Sequence, residues 1–226
     1  MMKCLIFKLT IFALLFSSCQ KKMTEVDFEQ NVFNQVFLKL VDSTYKDKRL
    51  YTFFPPSPKP IFDKYGNWIK DDTTGQHKKN IEFEAKRNIL KKDTLGLVIA
   101  INKIRHFASE HYEQFIPYYF PTFKYHISKE QFQNEIAIES FKSSKFSFKY
   151  LSELPEVEDY ENWSVKYSKF AGALYFSIIK FDDKKENGIL SVEYACGGKC
   201  GLTYLVRIKK KNNHWLIDKV VQIGIS

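Results

Sequence analysis

Two histidines and a glutamate lie close together in one stretch of the chain, as His106, Glu110 and His111. Imidazole and carboxylate groups serve as zinc ligands and as general acids and bases in hydrolysis. Zinc-protease motifs place two histidines four residues apart on one helical face. Here the histidines are five residues apart, which is about 140° around a helix, so their side chains would diverge. The spacing argues against a metal site, and no cofactor is expected.

A fourth candidate, His126, follows an aromatic stretch from Tyr118 to Tyr125. Such a stretch is typical of core packing, and it also occurs in surfaces that stack on carbohydrate. Together His106, Glu110, His111 and His126 are the candidate site of an envelope hydrolase or glycan-acting enzyme, which is the alternative function. The sequence contains no nucleophile elbow, phosphate loop or dinucleotide fingerprint, so no catalytic residue is assigned.

Cys196 and Cys200 enclose a three-residue loop that contains two glycines. Positions that flank a tight hairpin turn lie about 5.5 Å apart at Cα, which is within disulfide range. A structural disulfide is the favoured interpretation. A reduced pair without a role and a redox or metal site stay open. Thioredoxin-like sites use a CxxC that opens a helix, and a zinc site would need two further ligands.

The N-terminus carries Lys3 and Lys8, then a short apolar run from Leu9 to Phe16, then Ser17-Ser18-Cys19. The run has the length of an export signal and is shorter than the roughly 20 residues that span a bilayer. The segment resembles the lipobox of bacterial lipoproteins, although that pattern prefers an aliphatic residue at the position of Phe16. The resemblance implies cleavage before Cys19 and lipid attachment to its thiol.

These features divide the chain into three parts. Residues 1–18 are the expected signal peptide, residues 19–25 are the lipidated cysteine with a short tether, and residues 26–226 are one globular domain. Under the usual Gram-negative sorting pattern, Gln20 in place of aspartate favours the outer membrane over the inner membrane. The periplasmic and the surface-exposed orientations both stay open.

The chain has a formal net charge of +9, and only four of its 35 basic residues are arginine. Specific nucleic-acid recognition favours arginine for bidentate contacts, so nucleic acid is not an expected partner. The expected partners are the membrane, through the lipid anchor, and an unknown envelope protein or glycan.

The elements that must position these groups follow from periodicity and turn signals. Thr24 and Asp27 predict a helix cap, and apolar residues at helical spacing predict a helix over 26–46. Further predictions are a hairpin over 61–69, helices over 76–92 and from Ser128 to Phe141, and an apolar strand over 95–104 in the middle of a sheet.

Four strands are predicted in the last quarter of the chain, over 174–181, 188–196, 200–210 and 215–225. Asn187-Gly188 and Lys211-Asn212-Asn213 are the predicted turns. Helices early and strands late indicate an α+β fold, with N-terminal helices followed by a C-terminal antiparallel β-meander. The CGxxCG hairpin and the final strands resemble those of uncharacterised bacterial envelope lipoproteins. That resemblance implies no activity. The anchor, the short tether and the missing catalytic motif favour a non-enzymatic binding or structural lipoprotein.

Overall fold

The computed structural model describes residues 23–51, 55–106, 108, 110–125, 133–155, 160–197 and 200–225. They form an α+β fold, as the sequence predicts. The helices, in chain order, are α1 (Glu25–Thr44), α2 (Lys48–Tyr51), α3 (Gln76–Lys92), α4 (Glu110–Glu113), α5 (Ile116–Tyr119) and α6 (Tyr160–Lys166).

The strands are numbered separately along the chain. They are β1 (Lys59–Phe62), β2 (Trp68–Asp72), β3 (Leu97–Ile101), β4 (Ile104–Arg105), β5 (Asn134–Glu135), β6 (Phe146–Tyr150), β7 (Phe170–Phe176), β8 (Lys180–Phe181), β9 (Asn187–Gly197), β10 (Cys200–Lys211) and β11 (His214–Ile225). Strands β1 and β2 form the predicted hairpin, and β4 pairs with β5.

The main sheet has the order β11-β10-β9-β7-β3-β6, and β8 pairs with β9. The pairs β7–β9, β9–β10 and β10–β11 are all antiparallel, which confirms the C-terminal meander. Strand β3 pairs in parallel with both β6 and β7. The sheet is therefore mixed, with parallel pairing confined to the side formed by β7, β3 and β6.

Helix α1 covers one face of the sheet. Its N-terminus is fixed because the hydroxyl of Thr24 accepts a hydrogen bond from the backbone amide of Asp27 at 3.0 Å. The apolar stripe that includes Phe33, Val36 and Phe37 is fully buried against the sheet. This face holds the largest hydrophobic cluster, which accounts for the helical periodicity seen in the sequence.

The predicted helix from Ser128 to Phe141 is wrong in its described part. Asn134–Glu135 is a strand and Ile138–Ser140 is a single 3-10 turn. The backbone amide of Ile136 donates to the carbonyl of Lys103, and both Ile136 and Ile138 are buried. Buried and exposed residues alternate along this segment, and it pairs with the distant strand β4. Both features favour a strand and outweigh the local helix-capping signal.

The predicted turn at Asn187-Gly188 is also wrong, because both residues belong to β9. The chain reverses over 182–186 instead, where Lys185 has a positive φ of 52°. The carboxylate of Asp182 accepts from the backbone amides of Glu186 and Asn187 at 2.8 and 3.1 Å. The last turn is confirmed, since Asn212 and Asn213 have φ of 50° and 62°.

Among the described residues, we find no helix with the length and apolar character needed to cross a bilayer.

Candidate functional site

The face of the sheet opposite α1 carries a row of polar side chains. In the registers of the meander, Tyr175 of β7 lies opposite Glu193 of β9, and Glu193 lies opposite Thr203 of β10. Directly opposite residues on adjacent strands project from the same face. The row therefore brings a phenol, a carboxylate and a hydroxyl side by side, and all three side chains are partly exposed.

Apolar clusters lie on either side of this polar row. Along β9, Ile189 belongs to a cluster with residues of α5 and the segment after it. In the other direction, Ala195 packs against a cluster built around Trp163 of α6. Glu193 lies between these two positions and has the same orientation, because side chains two residues apart share a face. The two apolar clusters thus cover the sheet on either side of Glu193 and leave a gap above it.

Tyr112 of α4 contacts two residues of the polar row. Its hydroxyl interacts with the side chains of Glu193 and Thr203, and burial, followed by the negative charge of Glu193, raises the pKa of Tyr112. Helix α4 is held in place because Glu113 pairs with Lys180 of β8 and accepts a hydrogen bond from Tyr125 at 3.2 Å. These contacts position Tyr112 over the sheet.

The gap is a cavity of about 120 Å³. We call it the β9–β10 cleft, and its lining consists of Tyr175, Glu193, Tyr194, Ala195, Gly197, Cys200, Gly201, Leu202 and Thr203. Cys196 and Cys200 form a disulfide at its end, with Cα atoms 5.1 Å apart. The bond closes the β9–β10 hairpin beside the cleft.

The polar groups of the cleft can form hydrogen bonds with a ligand. The carboxylate of Glu193 accepts hydrogen bonds, while tyrosine and threonine hydroxyls both donate and accept. Sites that enclose a whole small molecule are about 300–1,000 Å³ in volume. The β9–β10 cleft is smaller than that, so it suits one group of a larger ligand, such as an ammonium or a hydroxyl.

Two wider depressions lie elsewhere on the described surface. One, of about 240 Å³, is lined in part by Asp182 and Arg207. Asp182 accepts a hydrogen bond from the side chain of Asn187, and Arg207 forms an ion pair with Asp218. The other, of about 410 Å³, lies beside β6. Its charged groups include the exposed pair Lys149 and Glu153. Neither places a carboxylate between two apolar clusters, so we take the β9–β10 cleft as the candidate site.

The histidines predicted as an alternative site do not meet in the described part of the protein. His106 is exposed and forms an isolated bridge with Ser177. His111 is exposed on α4, where its ring lies edge-on to Tyr112 and Phe115. Within the described ranges, no group of three or more His, Cys, Asp or Glu residues is arranged to hold a metal ion.

Three of the predicted positions lie wholly or partly outside the described residues. Cys19 and His126 are not described, and the side chain of Glu110 is not described either, although its backbone begins α4. The predicted disulfide between Cys196 and Cys200 is present.

Sequence reasoning missed Glu193 and its neighbours in the row. The signal was a single charged residue in the predicted strand over 188–196, which is otherwise almost entirely apolar. Strands buried on both faces consist of nearly continuous apolar residues, so a glutamate within one is unusual. The partners Tyr112 and Thr203 follow only from the strand registers and the path of α4.

Comparisons with protein families, curated proteins and solved structures give no match to this chain.

Proposed function

We propose that the protein is an exported bacterial lipoprotein, anchored through lipid on Cys19, whose folded domain binds an envelope protein or glycan. The observation that carries the anchor is the order of residues at the N-terminus: two lysines, an apolar run, then small residues and Cys19. The Cys196–Cys200 disulfide supports export, because disulfides persist in oxidising compartments such as the periplasm.

Binding is favoured over catalysis by the composition of the β9–β10 cleft. It offers the carboxylate of Glu193, the hydroxyl of Thr203 and the ring of Tyr175. Groups of this kind orient a polar ligand by hydrogen bonds and ring contact. Since the cleft accommodates one small group, a protein side chain or one substituent of a glycan is the expected contact there.

The anchor is tested by the mass of the protein isolated from the membrane fraction of a bacterial host. A mature chain that begins at Cys19 and carries acyl groups is expected. The Cys19→Ser variant loses the added mass. The matched control is Cys4→Ser. It changes a cysteine inside the signal, and the mature protein should still carry the added mass of the acyl groups. An unmodified wild-type chain contradicts the anchor.

The binding site is tested with a photo-crosslinking phenylalanine analogue introduced at position 112. Tyr112 contacts Glu193 and Thr203, two residues that line the cleft, and we expect a reproducible covalent adduct with an envelope component. The matched control has the same analogue at Tyr118, an exposed tyrosine in the same segment, and gives no such adduct. Equal labelling at both positions, or none at position 112, contradicts a binding role for the cleft.

A further inference from the structure

The β1–β2 hairpin exposes large apolar side chains on both of its faces. Phe62, Tyr65, Trp68 and Ile69 have 53–76% of their surface accessible. Phe62 and Trp68 are cross-strand partners, so two aromatic rings lie side by side in solvent. Contiguous exposed apolar surface on a folded protein marks a contact with a partner or a membrane.

A two-stranded hairpin on its own is only marginally stable in water. This hairpin is fixed by its turn, where the carboxylate of Asp63 accepts from the backbone amides of Tyr65 and Asn67 at 2.8 and 2.9 Å. Hydrogen bonds from the backbone and side-chain amides of Asn67, followed by that from the Tyr65 amide, lower the pKa of Asp63. The turn therefore presents the exposed rings in a set conformation.

Helix α3, which follows the hairpin in the sequence, has a second exposed apolar surface. Ile81, Ala85 and Ile89 are spaced by four residues, so they form one stripe along the helix, and all three are exposed. Phe83 lies on the opposite side and is buried. The helix thus contacts the protein body with one face and turns an apolar stripe away from it.

The hairpin and α3 are joined at their base and carry an excess of positive charge. The side-chain amide of Gln76, the first residue of α3, donates to the carbonyl of Pro56, which precedes β1. Residues 59–92, which we call the hairpin–helix unit, contain nine Lys and Arg residues and five Asp and Glu residues. The unit is therefore apolar, aromatic and cationic at once.

We propose that the hairpin–helix unit docks on an anionic lipid bilayer, with Phe62, Trp68 and Ile69 inserted at the level of the headgroups. Tryptophan and tyrosine are enriched at the membrane–water interface, and surface-lying elements combine an apolar face with lysines that attract acidic lipid. The docking rests on the proposed function in one respect, because the lipid anchor would hold the unit at the membrane.

Trp68 gives a direct readout of this contact. Of the three tryptophans in the chain, Trp163 and Trp215 are buried at 0% and 4% exposure, while Trp68 is 61% exposed. The full-length chain is reconstituted into vesicles of phosphatidylcholine and phosphatidylglycerol that contain acyl-brominated lipid. Subtracting the emission of Trp68→Phe isolates the signal of Trp68.

Brominated lipid is expected to reduce the Trp68 emission about two-fold, as for a ring at the headgroup level. Quenching falls when phosphatidylglycerol is omitted and in the Phe62→Ser, Ile69→Ser double variant. The matched control Leu95→Ser, at another exposed apolar residue, leaves it unchanged. These changes are on the surface and leave the core intact.

Co-flotation of the chain with vesicles and acylation mass report the anchor separately from the docking. Chain that floats with the vesicles but shows no Trp68 quenching overturns the docking and leaves the anchor standing. Quenching in a chain whose mass shows no acyl group overturns the anchor and supports the docking. Trp68 emission that responds to protein concentration but not to brominated lipid overturns the docking and assigns the hairpin to a protein contact.

Discussion

The carboxylate of Glu29 forms a bidentate ion pair with the guanidinium of Arg105 inside the hydrophobic core. The two Nη–Oε distances are 2.5 and 2.8 Å, and the side chains are 2% and 0% exposed. Glu29 also accepts from the side-chain amide of Asn134 and from the backbone amide of Ile179. The guanidinium lies 3.8 Å from the centre of the Phe33 ring. This network joins α1 to three distant parts of the chain.

Glu29→Gln is expected to lower the free energy of unfolding by about 3–5 kcal/mol, because it leaves a buried guanidinium without its counter-charge. Urea unfolding followed by circular dichroism measures the change. Glu135→Gln is the matched control, since Glu135 pairs with Lys103 in solvent, and exposed pairs contribute little. The combined change Glu29→Leu, Arg105→Met should be less destabilising than Glu29→Gln alone. If Glu29→Gln unfolds like the wild type, the ion pair does not contribute as described.

Gly172→Ala is expected to destabilise the protein by about 3 kcal/mol, through overpacking and backbone strain. Gly172 has a φ of 140°, and an added Cβ would lie 2.3 Å from the ring of Tyr194. That ring has little room to move, because its hydroxyl lies 2.6 Å from the carbonyl oxygens of both Lys46 and Ala171. Thermal unfolding provides the comparison. The control Gly224→Ala, where an added Cβ would make only ordinary contacts at 3.5 Å, should change little. Equal effects at the two glycines would contradict the close approach at Gly172.

Removing the Cys196–Cys200 disulfide with the double change to alanine should cost roughly 2 kcal/mol, since the loop that it closes is short. Reductant should lower the melting temperature of the wild-type protein and leave that of the double variant unchanged. The Cys19→Ser chain keeps both Cys196 and Cys200, so it serves as the control and should keep the full response to reductant. A double variant as stable as the oxidised wild type would mean that the disulfide does not stabilise the hairpin.

The carboxylate of Asp93 is expected to contribute to the pH dependence of stability. Lys169, and then Arg49, donate hydrogen bonds to it at 2.6 and 2.8 Å and lower its pKa in the folded protein. A lowered folded pKa gives stability that is present above the unfolded value of about 3.9 and is lost as the pH falls through the folded value. Asp93→Asn should therefore flatten the pH dependence of the unfolding free energy below about pH 4.

Urea titrations from pH 6 down to the lowest pH at which the protein folds test this expectation. Lys169→Gln removes one of the two partners of Asp93 and should flatten the curve in part. Some slope remains in both variants, because Glu153 and Asp182 also have lowered pKa values. A slope identical to that of the wild type in Asp93→Asn would contradict the assigned role.

The sequence predicts elements whose cause is local. Helix α1 follows from its cap and apolar stripe, the β1–β2 hairpin from its turn residues, and α3 from the break at Gly75, so their positions are confirmed to within a few residues. The strands of the meander also follow, because short connections leave few ways to pair them.

What the sequence did not predict depends on contacts between distant residues. Arg105 and Glu29 are separated by 76 positions, and neither has a pattern that names the other. The parallel pairing of β3 with β6 and β7 requires long crossover connections, which periodicity does not encode. The polar row of the β9–β10 cleft becomes visible only when the register of three strands is known.

Helix α1 at the beginning of the described chain packs against β11 at its end. The end of the helix where Phe28 lies beside Trp215 thus has its cover only after the twelve residues of β11 are in place. A chain that emerges N-terminus first from a ribosome cannot cover this end of the helix until its final strand arrives. Non-local contacts of this kind slow folding and leave apolar surface open to aggregation. Loss of the C-terminal strand would therefore uncover part of the first helix as well as one edge of the sheet.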